Sequence, residues 1–120
     1  MNNQNSKTAK GEPGQSYYRS VAGLTLLFDN EDYLWEPADW TEDVARVLAQ
    51  ECGIPELTEK HWRVIRFMRE FYFANGRAPL NRQLKQGTGM TLMEIEALFP
   101  GGIKQDARRI AGLPNPKACL

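Results

Sequence analysis

The sequence predicts an α+β domain: a small antiparallel β-hairpin or meander packed on an array of about five helices, followed by an extended, flexible C-terminal arm. Three observations predict it. An apolar, β-rich stretch from Tyr17 to Trp35 is broken by the turn-forming run Asp29-Asn-Glu-Asp32. From Trp40 onward apolar residues recur at helical spacing, and beyond Gly112 two prolines exclude helix.

A chain of 120 residues holds one core of useful size. Residues 1–16 are polar and carry Gly11, Pro13 and Gly14, so they bury too little to offset the entropy of ordering and read as a disordered leader. The folded body is then expected over residues 17–112 and the mobile arm over 113–120. Within the body, Val21 to Phe28 and Tyr33 to Trp35 flank the Asp29–Asp32 turn signal; so small a sheet needs helices over one face.

The helices follow from spacing and caps. Val44, Val47, Leu48 and Cys52 recur on one face behind Glu42 and Asp43, which favour a helix start, and Gly53 stops a helix over about 42–52. Thr58 caps the next, whose Trp62, Ile65, Met68, Phe71 and Tyr72 form a wide apolar face up to Asn75-Gly76, making it the central helix. Pro79 suits a first helical position, so a shorter helix is expected to about Gln86, broken by Gly87 and Gly89. Thr91-Leu-Met-Glu94 has the form of a capping box and opens a helix carrying Leu92, Ile95, Leu98 and Phe99. A last amphipathic stretch, Ile103 to Ala111, places Ile103, Ala107 and Ile110 inward and leaves Lys104, Arg108 and Arg109 to reach water.

Composition excludes several function classes. No apolar run approaches the roughly 20 residues that span a bilayer, and the first residues lack the apolar stretch of a signal peptide, so a cytoplasmic, membrane-free protein is expected. Two cysteines and one histidine cannot complete a four-ligand zinc site within the chain, leaving thiol chemistry and no expected metal. Net charge is zero, yet Asp29 to Glu59 holds ten acids against Arg46 alone, while Lys60 to Arg109 holds ten bases against four acids. Such a dipole steers a charged protein partner, or both sets are simply solvated surface.

Cys119 is the candidate catalytic residue. From Leu113 the Pro-containing arm has six steps to Cys119, which in a polyproline-like state reach on the order of 20 Å, so its thiol can enter another protein's pocket. Its thiolate would displace a partner's thiolate from a persulfide and carry the transferred sulfur, on the logic of thiol–disulfide exchange and with no cofactor. Lys117, with Lys104, Arg108 and Arg109 at the arm's root, are supporting candidates, as a dock for an acidic partner or as cations favouring the sulfur anion; solvated charge is the plainer alternative. From residue type and position alone, an incidental cysteine on a frayed tail stands as the competing reading. Cys52 lies on an apolar stripe and reads as a small core residue, His61 as packing or surface, and Trp35, Trp40 and Trp62 as core and hairpin packing.

A resemblance adds weight to the first reading. The closing segment from Phe99 to Leu120, with Ile110-Ala-Gly-Leu-Pro-Asn-Pro116 followed by the penultimate Cys119, resembles the C-terminus of the TusE/DsrC family of sulfur-relay proteins. His61-Trp-Arg-Val-Ile-Arg-Phe-Met-Arg-Glu-Phe-Tyr72 is similar to that family's central helix, and the likeness spans about residues 21–120. It implies a sulfurtransferase of the persulfide-carrier type with Cys119 as the carrying residue. It also implies protein partners: a TusBCD- or DsrEFH-like sulfur donor, and as acceptor a tRNA thiolase or a sulfur-oxidation enzyme. Family members that serve dissimilatory sulfite reductase have a further cysteine eleven positions earlier, where this chain has Arg108. That departure resembles the single-cysteine TusE branch, and with it a relay toward tRNA 2-thiouridine; a DsrC-like role in sulfur oxidation is the alternative. Two other classes stay open. One is a subunit that docks to a sulfite reductase without passing sulfur. The other is a DNA-binding regulator, since the helix over 92–99, the Phe-Pro-Gly-Gly turn and the basic stretch 103–111 have roughly helix-turn-helix spacing, although a zero net charge lacks general attraction for phosphates and direct nucleic-acid binding is not expected.

Overall fold

The computed structural model describes residues 16–116. The expected leader, apart from Ser16, and the arm's last residues, Lys117 to Leu120 with Cys119, lie outside the described residues. Two strands, β1 (Ser16–Val21) and β2 (Leu24–Asp29), pair antiparallel with Val21 opposite Leu24 and Ser16 opposite Asp29. The hairpin therefore turns at Ala22-Gly23, not at the Asp29–Asp32 run. Both turn residues have positive φ, 52° and 80°, the left-handed pair that matches the twist of a two-residue hairpin. The Asp29 run makes a second turn: its Oδ1 accepts from the amides of Glu31 and Tyr33, and a single antiparallel bridge, Phe28 to Leu34, is all that remains of a third strand.

Helices follow the caps. α1 (Glu42–Glu51) starts where Thr41 Oγ1 accepts from the Val44 amide. α2 (Glu59–Asn75) is the central helix and ends at the left-handed Gly76. α3 (Asn81–Thr88) begins two residues after Pro79, with Gln83 reaching back to the Leu80 amide, and it runs through Gly87 to stop at Gly89. Gly87 is a contact glycine, not a breaker: a Cβ there would lie 2.1 Å from the Phe67 ring. α4 (Leu92–Leu98) has the expected capping box between Thr91 and Glu94. The last amphipathic stretch is a π-helical turn, Ile103–Ala107, continuing as the short α5 (Arg108–Ile110).

One core joins these pieces. Leu26, Phe28 and Leu34 from the hairpin meet Val44 and Leu48 of α1, Val64, Ile65 and Met68 of α2, Leu84, Ile95, Phe99 and the final Ile110 and Leu113. The fold is thus the expected two-stranded sheet with five helices. Trp62 packs as read, flanked by Arg46 and Arg66 at 5.2 and 5.3 Å from its ring. Among the described residues, no helix is long and apolar enough to cross a membrane.

Candidate functional site at the root of the arm

The chain leaves its last helix over Trp40. Gly112, at φ 71°, has no room for a side chain, because a Cβ would fall 2.3 Å from the Trp40 ring. That ring is held from both sides: its Nε1 donates to the Ile110 carbonyl at 2.7 Å, and the Arg69 guanidinium stacks over it at 4.0 Å. Arg69 then donates to the carbonyls of Ala111 (2.9 Å) and Pro37 (3.0 Å), and its burial lowers its pKa from the ordinary arginine value. α2 is thereby tied to the two backbone segments that meet at the arm's root.

Beyond Gly112 the chain stays on the body. Leu113 is fully buried and donates its amide to the Arg108 carbonyl at 3.1 Å. Asn115 is buried as well, its Nδ2 donating to Glu31 Oε1 at 3.1 Å. Pro114 and Asn115 line a small cleft of about 140 Å³ with Asp29, Leu34 and Trp35. The arm expected to be mobile from Leu113 is therefore packed as far as Pro116: the buried Leu113 and Asn115 side chains act together with the hydrogen bonds to Arg108 and Glu31 to offset the entropy of ordering the segment.

The supporting cations divide. Arg108, expected to reach water, is 9% exposed, and its Nε donates to the Pro114 carbonyl at 2.9 Å. Arg109 lies 4.7 Å over the Tyr33 ring and donates to the carbonyls of Glu31 (2.7 Å) and Asp32 (3.3 Å). Lys104 is exposed, and its carbonyl accepts from the Tyr33 hydroxyl at 3.2 Å. It shares with Arg108 a cleft of about 280 Å³ whose other walls include Met68, Pro79, Leu80 and Ile103. Lys117 lies outside the described residues. The arginines are thus engaged by backbone oxygens, which corrects the picture of a solvated basic cluster.

Two groups outside this root are structural. His61 is buried; its Nδ1 accepts the Thr58 amide at 3.0 Å, which leaves Nε2 to donate to the Leu98 carbonyl at 2.9 Å. The Cys52 thiol is pushed up to about 11, first by burial and then by the Asp106 carboxylate beside it, so it stays protonated at neutral pH. The helix-turn-helix alternative gains no support from its second element: Arg108 and Arg109, the cations that would face a groove, are turned to backbone carbonyls.

Arg69 and Trp40 are parts of the root that the sequence did not point to, whereas Gly112 and Asn115 stood in the closing motif with no contact assigned to them. A signal existed for one of them. Arg69 falls between Ile65, Met68 and Tyr72 on the apolar face of α2, where a charged residue must find buried partners.

The family model described as DsrC like protein matches residues 20–120. The chain belongs to the DsrC-like family. It is 38% identical over 105 residues to the sulfurtransferase TusE of Pectobacterium atrosepticum, covering 82% of this chain and 95% of that one. It is 33% identical over 98 residues to the dissimilatory-type sulfite reductase subunit gamma of Nitratidesulfovibrio vulgaris, covering 82% and 93%. The oxidized gamma subunit of dissimilatory sulfite reductase, DsrC, from Archaeoglobus fulgidus superposes with a TM-score of 0.73 at 37% identity, over 87% of this chain and all of that one. This DsrC-like fold confirms the family resemblance read from the closing segment and the central helix.

Proposed function

We propose that this DsrC-like protein is a sulfur carrier that accepts and passes on persulfide sulfur at Cys119, in a relay between protein partners. The observation that carries the reading is the extent of the family match, which runs through residue 120 and so includes the penultimate cysteine with its motif. The relatives' names support sulfur chemistry from two directions, one a sulfurtransferase and one a sulfite reductase subunit. Cys52 supports it by elimination, being half-buried and protonated at neutral pH, which leaves Cys119 to supply a thiolate.

The step balances without an oxidant. The Cys119 thiolate attacks the outer sulfur of a donor persulfide; a sulfur–sulfur bond forms as the donor's own breaks, and the donor thiolate departs with the electron pair. An acceptor thiolate repeats the attack on the outer sulfur of the Cys119 persulfide and releases the Cys119 thiolate. No cofactor enters either step. Because the root is packed to Pro116, only three steps lead on to Cys119, a reach of roughly 10 Å in place of the 20 Å of a free arm. A partner must therefore come to the body, and the arm works as a short presenter in the cytoplasm.

Arg108, standing where a second cysteine would allow an internal disulfide, favours the TusE-like branch and delivery toward tRNA 2-thiouridine, from a TusBCD- or DsrEFH-like donor. Incubation with a persulfide donor followed by intact-mass measurement should show one added sulfur atom in the wild type and none in Cys119→Ala. A sulfur that persists in Cys119→Ala, or none in either, refutes the proposal.

A further inference from the structure

Prolines at 114 and 116 remove two backbone donors from the arm, so this segment cannot hold itself in place by a ladder or a helix. What holds it comes from the body, and one residue does so at two points. The Arg108 carbonyl receives the Leu113 amide at 3.1 Å, and the Arg108 Nε–H reaches forward to the Pro114 carbonyl at 2.9 Å. Arg108 is only 9% exposed, and a guanidinium held in so buried a residue is costly unless its donors are matched; here one is matched by the first carbonyl of the Pro-Asn-Pro run. On the far side Asn115 holds Glu31, while Arg109 fixes the carbonyls of Glu31 and Asp32, so the berth opposite the clamp is itself rigid. These contacts converge on Leu113–Asn115, the last stretch before the residues that lead to Cys119.

We infer that Arg108 is a positioning residue: it clamps the arm at Pro114 and so sets the point from which Cys119 is presented. This rests on the sulfur-carrier reading for its purpose, but the clamp is measurable without it. A charge acting directly on the sulfur would be served by any cation at this position. The clamp needs the Nε–H at its distance along the side chain, and lysine has no donor there.

The test uses the full chain in a Cys52→Ala background, with spin labels on Cys119 and on a cysteine introduced by Glu70→Cys, exposed on α2. Arg108→Met keeps the apolar stem and removes the donor; Arg108→Lys keeps the charge and remains folded should the first variant fail. Both should at least double the width of the distance distribution and speed exchange of the Leu113 amide tenfold or more. Loading of unlabelled Cys119 by inorganic polysulfide should stay within twofold of the parent. An unchanged distribution in both variants overturns the clamp. So does a tenfold fall in loading for Arg108→Met that Arg108→Lys restores, since that is the signature of charge on the sulfur. Failure of the parent chain to take up sulfur at Cys119 sinks the carrier reading alone and leaves the distance result standing.

Discussion

A thiol with a pKa near 11 is ionised to only about one part in a thousand at pH 8, and that is the state burial and Asp106 impose on Cys52. Maleimide at pH 7.5 should therefore modify Cys119 at least about tenfold faster than Cys52, read by peptide mass after partial labelling; equal rates would show that Cys52 is not shielded. The same shift has a thermodynamic sign. Folding raises the Cys52 pKa from 9.0 to about 11, so it favours the protonated thiol, and the stability this contributes is complete below pH 9 and lost as pH rises through 11. Melting curves at pH 8 and pH 11 should show the wild type losing about 1 kcal/mol more than Cys52→Ala, after allowance for partial exposure. An identical loss in the two would remove the thiol as the cause. At this scale the sequence was half legible. Cys52 could be read as a core residue from its stripe, whereas Arg108 could not be read as buried, because nothing in an amphipathic pattern reveals that a carbonyl four residues beyond Ile110 will return to meet it.

Elements whose ends are set by local chemistry were legible, and those set by contact were not. Thr41, Thr58, Thr91, Gly76 and Gly89 mark helix ends because a cap satisfies backbone groups within one turn of itself. Gly87 misled, since its reason is the Phe67 ring arriving from another helix, and the Ile103–Ala107 π-turn leaves no mark in an apolar period. The hairpin turn was displaced because Ala22 at positive φ is an uncommon choice beside the stronger signal of Asp29–Asp32. Gly112 joins both kinds of constraint. Gly112→Ala must adopt φ 71° and place a methyl 2.3 Å from Trp40, so the ring has to leave its bond to Ile110 or the arm has to lift. A loss of roughly 2–4 kcal/mol is expected from denaturant unfolding. A loss under about 1 kcal/mol would mean that the root relaxes freely and is not a fixed exit.

At the scale of the whole molecule, the question is where the folded body stops. Composition drew that line at Gly112, on the sound ground that prolines break helices; packing moves it to Pro116, because a segment barred from helix is still free to bury a side chain. Leu113 lies in the common core beside Ile110 and Phe99, and removing it takes away a fully buried leucine, worth about 2–5 kcal/mol by the usual cost of such a cavity. It also strips the Arg108 guanidinium of the Pro114 carbonyl. Two truncations separate body from presenter. A chain ending at Pro116 loses Cys119 and should carry no sulfur, yet it should melt within about 2 °C of the full chain. A chain ending at Gly112 should melt on the order of 10 °C lower, since a domain of this size shifts by about 4–8 °C per kcal/mol. Calorimetry on the pair decides it: equal melting temperatures would return Leu113–Pro116 to the arm and lengthen the reach of Cys119, whereas the expected gap leaves only the last few residues to carry sulfur away from the fold.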